Sequence, residues 1–531
     1  MSRAESLDST TREPAIPIRS VVLAALLFAF VSCVFYEPIW SAGVSVAIPS
    51  TSEQGPIQTR REAFSRAIAE SDALFTAWVV GRNAYTLLHD PLRLHHGERC
   101  HPTRLSMALG NPVLALSVLA VPAYAISADP IAAYNAALVA ATFAAAMAMF
   151  LLVTRWTGEP AAGLVAGLLY AFSYVKLADA LHPNIHDTAW TLFGLYFARE
   201  WFAMGRLRDA LGLVASCAMQ ISASFYPFLG ATALAVPMLG WLCWRNGFSK
   251  TRPWHVALIV AGVGGAALFV FGPYLEIGET SQLIQPPSWG RTFGNWTALI
   301  PGGRYFMGWF AVTGFAAAVL APSRAGSIGD PRVPLLLGGV LVMWLATGDF
   351  LGLPNLYLTL ARVLPGLGKV RIVASLMSVA FLVAIVLSGL GFGAALRRIP
   401  AANRRWAAFA LVTLATAYTL SPYTLPLDQK VSFRPRIARP SLDEIRFFEQ
   451  LENLGNSGPI LETPMSRRDL MREANSLMLS AYHHRATSVC GTQSFYTAKS
   501  LEIDELGARL PDPAAATELI ENGFSTVIVH H

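Results

Sequence analysis

Two acidic residues, Glu70 and Asp72, stand at the start of the stretch ESDALFTAWVVGRNAYTLLHDP. A positioned carboxylate can take a proton from a reacting hydroxyl as a general base. The apolar residues behind the pair are spaced to share one face of a helix: Phe75, Trp78, Tyr85 and Leu88. Acidic residues also suit a helix N-terminus, so the same pattern fits an interfacial helix with a solvated acidic start.

A basic pair, Lys369 and Arg371, forms the second candidate group, with Arg362 nearby. The pair precedes a predicted span on the side where positive charge is usually scarce. Such a pair often has an anionic partner at the interface, and an arginine can hold phosphate oxygens through two hydrogen bonds. Lipid headgroups, or an ion pair with Asp349, are the alternative partners.

The third group follows the predicted span Ala161–Leu181 and comprises Lys176, Asp179, His182, His186 and Asp187. Lys176 and Asp179 lie one helical turn apart, as in a local ion pair. His182 and His186 have the HxxxH spacing, which on a helix places two imidazoles on one face, as metal ligands need. The intervening Pro183-Asn184 favours a loop and the glutamate of a zincin motif is absent. We therefore expect a polar cavity wall and no metal site here.

Composition indicates what must position these groups. The chain has 531 residues, of which 54% are hydrophobic and 14% charged, with a mean hydropathy of +0.45. Soluble domains are about a quarter charged, so the sequence predicts a polytopic membrane protein. The net charge of +6 comes mostly from short loops between apolar spans, where cations act as topology signals. It therefore does not indicate a nucleic-acid partner.

The five cysteines show no CxxC or CxxxC spacing, which argues against a metal or redox cluster. Cys100 lies among His95, His96 and His101, whose irregular spacing in an arginine-rich segment favours a surface loop. Cys100 and Cys490 both fall outside on the predicted topology. A disulfide between them is compatible with an oxidising compartment, but the sequence does not fix their distance.

Basic loops set the predicted orientation. Arg12 and Arg19 place the N-terminus in the cytoplasm, and the first apolar run is expected to be a retained span because no cleavage site follows it. Apolar segments of suitable length predict eleven spans: Val21–Trp40, Ile131–Val153, Ala161–Leu181, Thr188–Met204, Ala210–Ser222, Tyr226–Trp244, Trp254–Tyr274, Tyr305–Ala321, Val333–Thr347, Ile372–Leu396 and Trp406–Ser421. The C-terminus would then be extracytoplasmic.

The apolar segment Leu105–Ile126 is expected not to cross the membrane. With Arg155 inside, both of its ends fall outside, and it contains Gly110, Pro112 and Pro122, which suit an embedded helix. The first external region would therefore run from residue 41 to about 130.

After Ser421 the composition becomes that of a small α/β unit. Ser441-Leu-Asp-Glu444 has the pattern of a capping box, and Asp512-Pro513 that of an N-cap followed by the first helical residue. Ile460–Thr463 and Thr526–His530 are predicted strands. We expect a transmembrane domain over residues 1–421 and an extracytoplasmic α/β domain over 422–531.

Several segments together resemble the GT-C membrane glycosyltransferases, and among them a bacterial group of GT-C-like proteins. The resemblance is diffuse and covers most of the chain. It is carried by SDALFTAW, LLHDP, LGNPVLAL, ADPIAAYN, AGLLYAFSYVKLADALHPN, LPNLYLTLARVLPGLGKVR and ENGFSTVIVHH.

The resemblance implies a sugar transferase with a polyprenyl-phosphate sugar donor and a glycan, lipid or protein acceptor, in the bacterial inner membrane. The catalytic carboxylate of the first external loop would be Asp72, with Glu70 as the alternative. The substrate-binding residues would be Lys369, Arg371, Lys176, His182, His186 and Arg362. The resemblance does not decide whether the protein needs a metal ion, although a divalent cation is compatible with the family.

The sequence departs from the group at two places. Ser71 stands where the group usually has glycine, and Arg371 is followed by Val373 and Ser375 where an RxPxR pattern is common. The second arginine of a phosphate grip is therefore missing, and Lys369 is the substitute.

The rival functions are a transporter or flippase of a lipid-linked glycan, and a non-catalytic assembly factor. Transporters usually carry internal repeats, which this sequence lacks.

Overall fold

The computed structural model describes residues 16–50, 60–177, 182–248, 250–284, 291–321, 330–348, 350–364, 366–421, 433–453, 458–464, 470–491 and 495–530. Most of these residues are helical. The helices are α1 Ile18–Phe35, α2 Glu37–Ala42, α3 Arg60–His89, α4 Leu114–Ser127, α5 Pro130–Thr157, α6 Pro160–Ala171, α7 Tyr174–Leu177, α8 Ala189–Met204, α9 Leu207–Ala223, α10 Phe225–Asn246, α11 Pro253–Thr280, α12 Trp309–Leu320, α13 Arg332–Ala346, α14 Leu356–Ala361, α15 Met377–Arg398, α16 Ala401–Leu420, α17 Leu442–Asn453, α18 Leu470–His483, α19 Ala498–Ala508 and α20 Pro513–Glu521. The strands are β1 Ala47–Ser50, β2 Leu283–Ile284, β3 Arg434–Ile437, β4 Ile460–Thr463, β5 Tyr496–Thr497 and β6 Thr526–Val529.

The chain is a membrane protein. In the described part, five helical segments are long and apolar enough to cross a bilayer: α1, α5, α10, α11 and the segment Val373–Arg398 that contains α15. Each of the eleven predicted spans overlaps at least one helix, but the first is divided between α1 and α2 and the third between α6 and α7. Several of these helices are shorter than a bilayer core requires on their own. The number of eleven spans therefore stays a prediction.

The α15 helix lies at the centre of the bundle. It packs against α5, α6, α10, α12 and α13, and most of its residues are buried. Its approach to α12 is close because Gly391 faces Gly314. A Cβ atom at Gly391 would lie 1.8 Å from the Gly314 carbonyl oxygen, so a larger residue would force the two helices apart.

The α4 helix occupies most of the segment predicted to be embedded. It has 14 residues and contains Pro122, so at 1.5 Å per residue it is about 21 Å long, shorter than a bilayer core of about 30 Å. It packs against α3, α5 and α9. Its short length agrees with a helix that does not cross, and its place relative to the membrane stays a prediction.

The described residues after 432 are joined to the predicted first external region in three ways. Strand β3 pairs antiparallel with β1, with Ala47 opposite Ile437. Helix α18 packs along α3, where the Trp78 indole Nε1 donates a 2.9 Å hydrogen bond to Ser480 Oγ. Cys100 and Cys490, whose pairing the sequence left open, form a disulfide. The boundary predicted at 421 is followed by residues outside the described part, and the division into two domains stays a prediction.

Local signals in this region are confirmed. Ser441 and Glu444 form the capping box at the start of α17: the Glu444 amide donates to Ser441 Oγ, and the Ser441 amide donates to Glu444 Oε2 at 2.8 Å. The Asp512 side chain accepts from the Ala514 amide and caps α20. The predicted strands are β4 and β6, which pair in parallel.

Candidate active site

Helix α3 carries both candidate carboxylates and turns them in different directions. Residues two apart on an α-helix differ by about 200° around its axis, so Glu70 and Asp72 face nearly opposite sides. Glu70 faces β3, and Asp72 faces the turn Pro183–His186 that follows α7. The helix therefore separates the two acidic groups that the sequence places side by side.

Asp72 pairs with His182. The Asp72 Oδ2 and His182 Nε2 atoms lie 3.0 Å apart, and the two side chains are 13% and 32% exposed. His182 directly precedes the turn Pro183–His186, so this contact joins the first and third candidate groups. Within the helix, the Thr76 hydroxyl donates a 2.8 Å hydrogen bond to the Asp72 backbone carbonyl. A carboxylate held in this way, half-buried and directed by a hydrogen bond, can serve as a general base.

Glu70 pairs with Arg436 of β3 instead. Its Oε2 lies 2.8 Å from Arg436 Nη1, and both side chains are largely covered. This ion pair ties the start of the acidic stretch to the strand that β1 holds by backbone hydrogen bonds. The contact gives Glu70 a structural role.

An arginine that the sequence analysis did not single out supports the aromatic face of α3. The Arg99 guanidinium is fully buried 4.9 Å from the centre of the Phe75 ring, and Phe75 stacks on Trp78. It donates to the carbonyls of Cys490 and Ser106, each at 3.0 Å. Burial lowers the pKa of Arg99 to about 9, so the group stays charged at neutral pH. The loop composition, rich in arginine, was the only signal for it.

Lys176 and Asp187 lie close together near the turn that follows His182. The half-buried Lys176 interacts with Asp187 and lies 5.5 Å from the centre of the Tyr170 ring. Asp187 also accepts a 3.1 Å hydrogen bond from the Trp190 indole. Asp179, the predicted partner of Lys176, lies outside the described residues.

The His182 and His186 backbones belong to a short 3-10 turn and not to an α-helix. The HxxxH spacing therefore does not place two imidazoles on one helix face here. The His186 side chain lies outside the described part. Among the residues that the structure does describe, no group of three or more His, Cys, Asp or Glu side chains is arranged to hold a metal ion.

The basic group lies on the segment that leads into α15. Arg371 is half-buried, interacts electrostatically with the Tyr226 phenol at the start of α10, and accepts a 2.9 Å hydrogen bond from the Thr292 amide on its carbonyl. Lys369 is exposed, with its amino group against Gly278 of α11. Arg362 follows α14 and is also exposed.

A further cation, Arg291, was missed by the sequence analysis. Its guanidinium donates to the Gly368 and Val370 carbonyls and lies 5.7 Å from the centre of the Tyr357 ring. These contacts fix the backbone on both sides of Lys369. Helix α10 contacts both the turn Pro183–His186 and the turn Val373–Leu376, and so connects the surroundings of His182 to those of Arg371.

The architecture is similar to that of a mycobacterial membrane enzyme. A cryo-EM structure of a mutant of the arabinofuranosyltransferase AftD from Mycobacteria superposes with a TM-score of 0.51 at 16% sequence identity, over 85% of this chain and 31% of AftD. Another AftD structure gives a TM-score of 0.49 at 16% identity, over 85% of this chain and 30% of AftD. The superposition shows that this chain shares the fold of the matched part of AftD, which agrees with the fold expected from the sequence resemblance.

The likeness applies to the fold, and this chain spans about a third of the length of AftD. No protein-family model matches the sequence. No curated protein matches it either.

Proposed function

We propose that this protein is a glycosyltransferase that moves a sugar from a polyprenyl-phosphate donor to an acceptor on the extracytoplasmic face of the bacterial inner membrane. The contact of 3.0 Å between Asp72 and His182 carries the proposal, since it joins the first external loop to the end of the third predicted span. The GT-C-like fold supports it. Because one fold can host several chemistries, the reaction is argued from the residues.

In this reaction Asp72 acts as the general base. His182 Nε2 binds Asp72 Oδ2, and the other carboxylate oxygen takes the proton of the acceptor hydroxyl. The acceptor oxygen forms a bond to the anomeric carbon of the donor sugar. The bond between that carbon and the phosphate oxygen breaks, and polyprenyl phosphate leaves with the electron pair. A single displacement of this kind inverts the anomeric configuration.

Arg371 and Lys369 bind the donor phosphate and stabilise the charge that develops on the leaving group. Arg371 is the stronger candidate of the two because it is half-buried, and a charge acts more strongly where water is excluded. Lys176, His182, His186 and Arg362 are proposed to line the path of the substrates. No step requires a metal ion.

The experiment is sugar transfer in proteoliposomes, with donor binding followed in parallel. The donors are polyprenyl-phosphate arabinofuranose, chosen for the sugar named for AftD, and polyprenyl-phosphate hexoses. Asp72→Asn keeps the shape of the side chain but cannot accept the proton, so turnover should fall by about 10²–10⁴ while donor binding is kept. His182→Gln should lower turnover less, because it leaves the base in place without its orienting imidazole.

Full turnover in Asp72→Asn would reject Asp72 as the base. A wild-type protein that transfers none of these sugars but moves the lipid-linked donor across the bilayer would establish the transporter instead.

A further inference from the structure

A cavity of about 840 Å³ lies away from Asp72, between the end of β3, helices α17 and α18, and the β4–β6 pair. Binding sites for small molecules usually occupy about 300–1,000 Å³. Its lining combines aromatic rings with hydrogen-bonding groups, among them Phe447, Phe448, Glu462, Asn475, Ser476 and His530.

The floor of the cavity is a fixed carboxylate and imidazole. Glu462 is only 7% exposed. Its Oε2 lies 2.8 Å from His530 Nε2, and its Oε1 accepts hydrogen bonds from the hydroxyls of Ser476 and Thr487. These contacts hold the polar floor rigid, so a ligand would meet pre-positioned groups.

The walls offer an apolar face and an amide. The Phe447 side chain is 46% exposed and stands nearly perpendicular to the buried Phe448, with ring centres 5.3 Å apart. On α18, Asn475 is exposed, and its amide has no hydrogen-bond partner among the described residues. An amide supplies both donors and an acceptor.

The charges around the cavity nearly balance. Arg439 and Arg472 are opposed by Asp443, Glu444 and Glu462. This balance does not favour a phosphate or a polyanion. A sugar has hydroxyl groups for the polar floor and an apolar C–H face for a phenyl ring.

We propose that this cavity binds a neutral glycan. Its lining residues Ile437 and Ala438 directly follow Arg436, which pairs with Glu70, two residues before Asp72. The cavity therefore adjoins β3, the strand that Glu70 contacts. The glycan is the non-reacting part of the acceptor, a role that rests on the proposed function.

The test measures binding of soluble, fluorescently labelled oligosaccharides of arabinofuranose, mannose and glucose to the full-length protein in detergent. Loss of one aromatic contact in Phe447→Ala should weaken binding of the preferred oligosaccharide roughly fivefold to tenfold. Asn475→Ala should also weaken it. Leu442→Ala is the matched control, because Leu442 is an exposed apolar residue of α17 that does not line the cavity.

Wild-type binding that Phe447→Ala and Asn475→Ala both reduce, and that Leu442→Ala does not, supports the proposal. Absence of wild-type binding to all three oligosaccharides, or equal affinity in all variants, overturns it. Asp72→Asn separates the two proposals: it should bind the oligosaccharide as the wild type does while failing to transfer. If Asp72→Asn transferred normally and Phe447→Ala still lost binding, the base assignment would fall and the glycan cavity would stand.

Discussion

Glu70 and Arg436 form an ion pair of 2.8 Å, while Asp72, two residues further along the same helix, faces His182 at 3.0 Å. The two carboxylates thus have different partners on opposite sides of α3. One is bound to a strand that is joined to β1, and the other lies beside the imidazole of a loop. This arrangement gives Glu70 a structural contact and supports the proposal that Asp72 is the base.

Loss of the Glu70 carboxylate should therefore lower the stability of the protein slightly and leave sugar transfer largely intact. We expect Glu70→Gln to lose up to about 1 kcal/mol of stability, since a partly exposed ion pair contributes little, and to keep most of the transfer activity. Arg436→Gln should give the same result. Thermal unfolding and sugar transfer measured on the same preparations check this. A folded but inactive Glu70→Gln protein would move the base assignment to Glu70.

The phosphate site should depend on Arg371. Loss of a hydrogen bond to a charged group costs about 1.5–3 kcal/mol, so Arg371→Ala should weaken donor binding by at least tenfold. Arg398→Ala, an exposed arginine at the other end of α15, is the matched control. Donor affinity is measured by titration in nanodiscs. Unchanged affinity in a double alanine variant of Lys369 and Arg371 would remove both from the site.

The disulfide should stabilise the contacts between residues 47–100 and residues 434–490. Removing a native disulfide typically costs about 2–5 kcal/mol, so Cys490→Ser should lower the Tm, and a reductant should do the same to the wild type. Cys33→Ser is the control, because Cys33 is exposed and unbonded. Thiol labelling before and after reduction reports the pairing, and prompt labelling of Cys100 without reductant would contradict it.

Acid should loosen the contacts of α18. Burial lowers the pKa of His483 to about 3 and that of His484 to about 4. His483 stacks on Phe448 and His484 on Tyr85. The unfolded state, with an ordinary histidine pKa near 6.5, binds protons first as the pH falls, so stability is lost from about pH 6.5 down to about pH 4 for His484 and about pH 3 for His483.

The loss should appear as a falling Tm over that interval. A double glutamine variant of His483 and His484 should have a flatter Tm profile than the wild type. Equal slopes in the two proteins would show that other groups govern the acid response.

The features confirmed from sequence are local in the chain. The Ser441–Glu444 capping box and the Asp512 cap depend on residues two or three apart, and hydrophobic run lengths place a helix at each predicted span. The sequence did not show which atom each candidate carboxylate contacts, because only the packing of the bundle brings those partners close.

The same limit explains the missed contacts. Asp187 lies eleven residues after Lys176 and meets it only because the chain turns back. Arg99 shows no periodic pattern, and its partners Phe75 and Cys490 lie in different parts of the chain. Contacts of this kind depend on tertiary packing, which composition and residue spacing alone do not reveal.

Three contacts set an order of assembly. Strand β1 pairs with β3, helix α3 packs against α18, and Cys100 is bonded to Cys490. Residues 47–100 are synthesised early, but their partners lie in residues 434–490, after all the bundle helices. These contacts can therefore form only after the bundle helices have been synthesised. The contacts of this N-terminal segment are thus completed late in translation or after it.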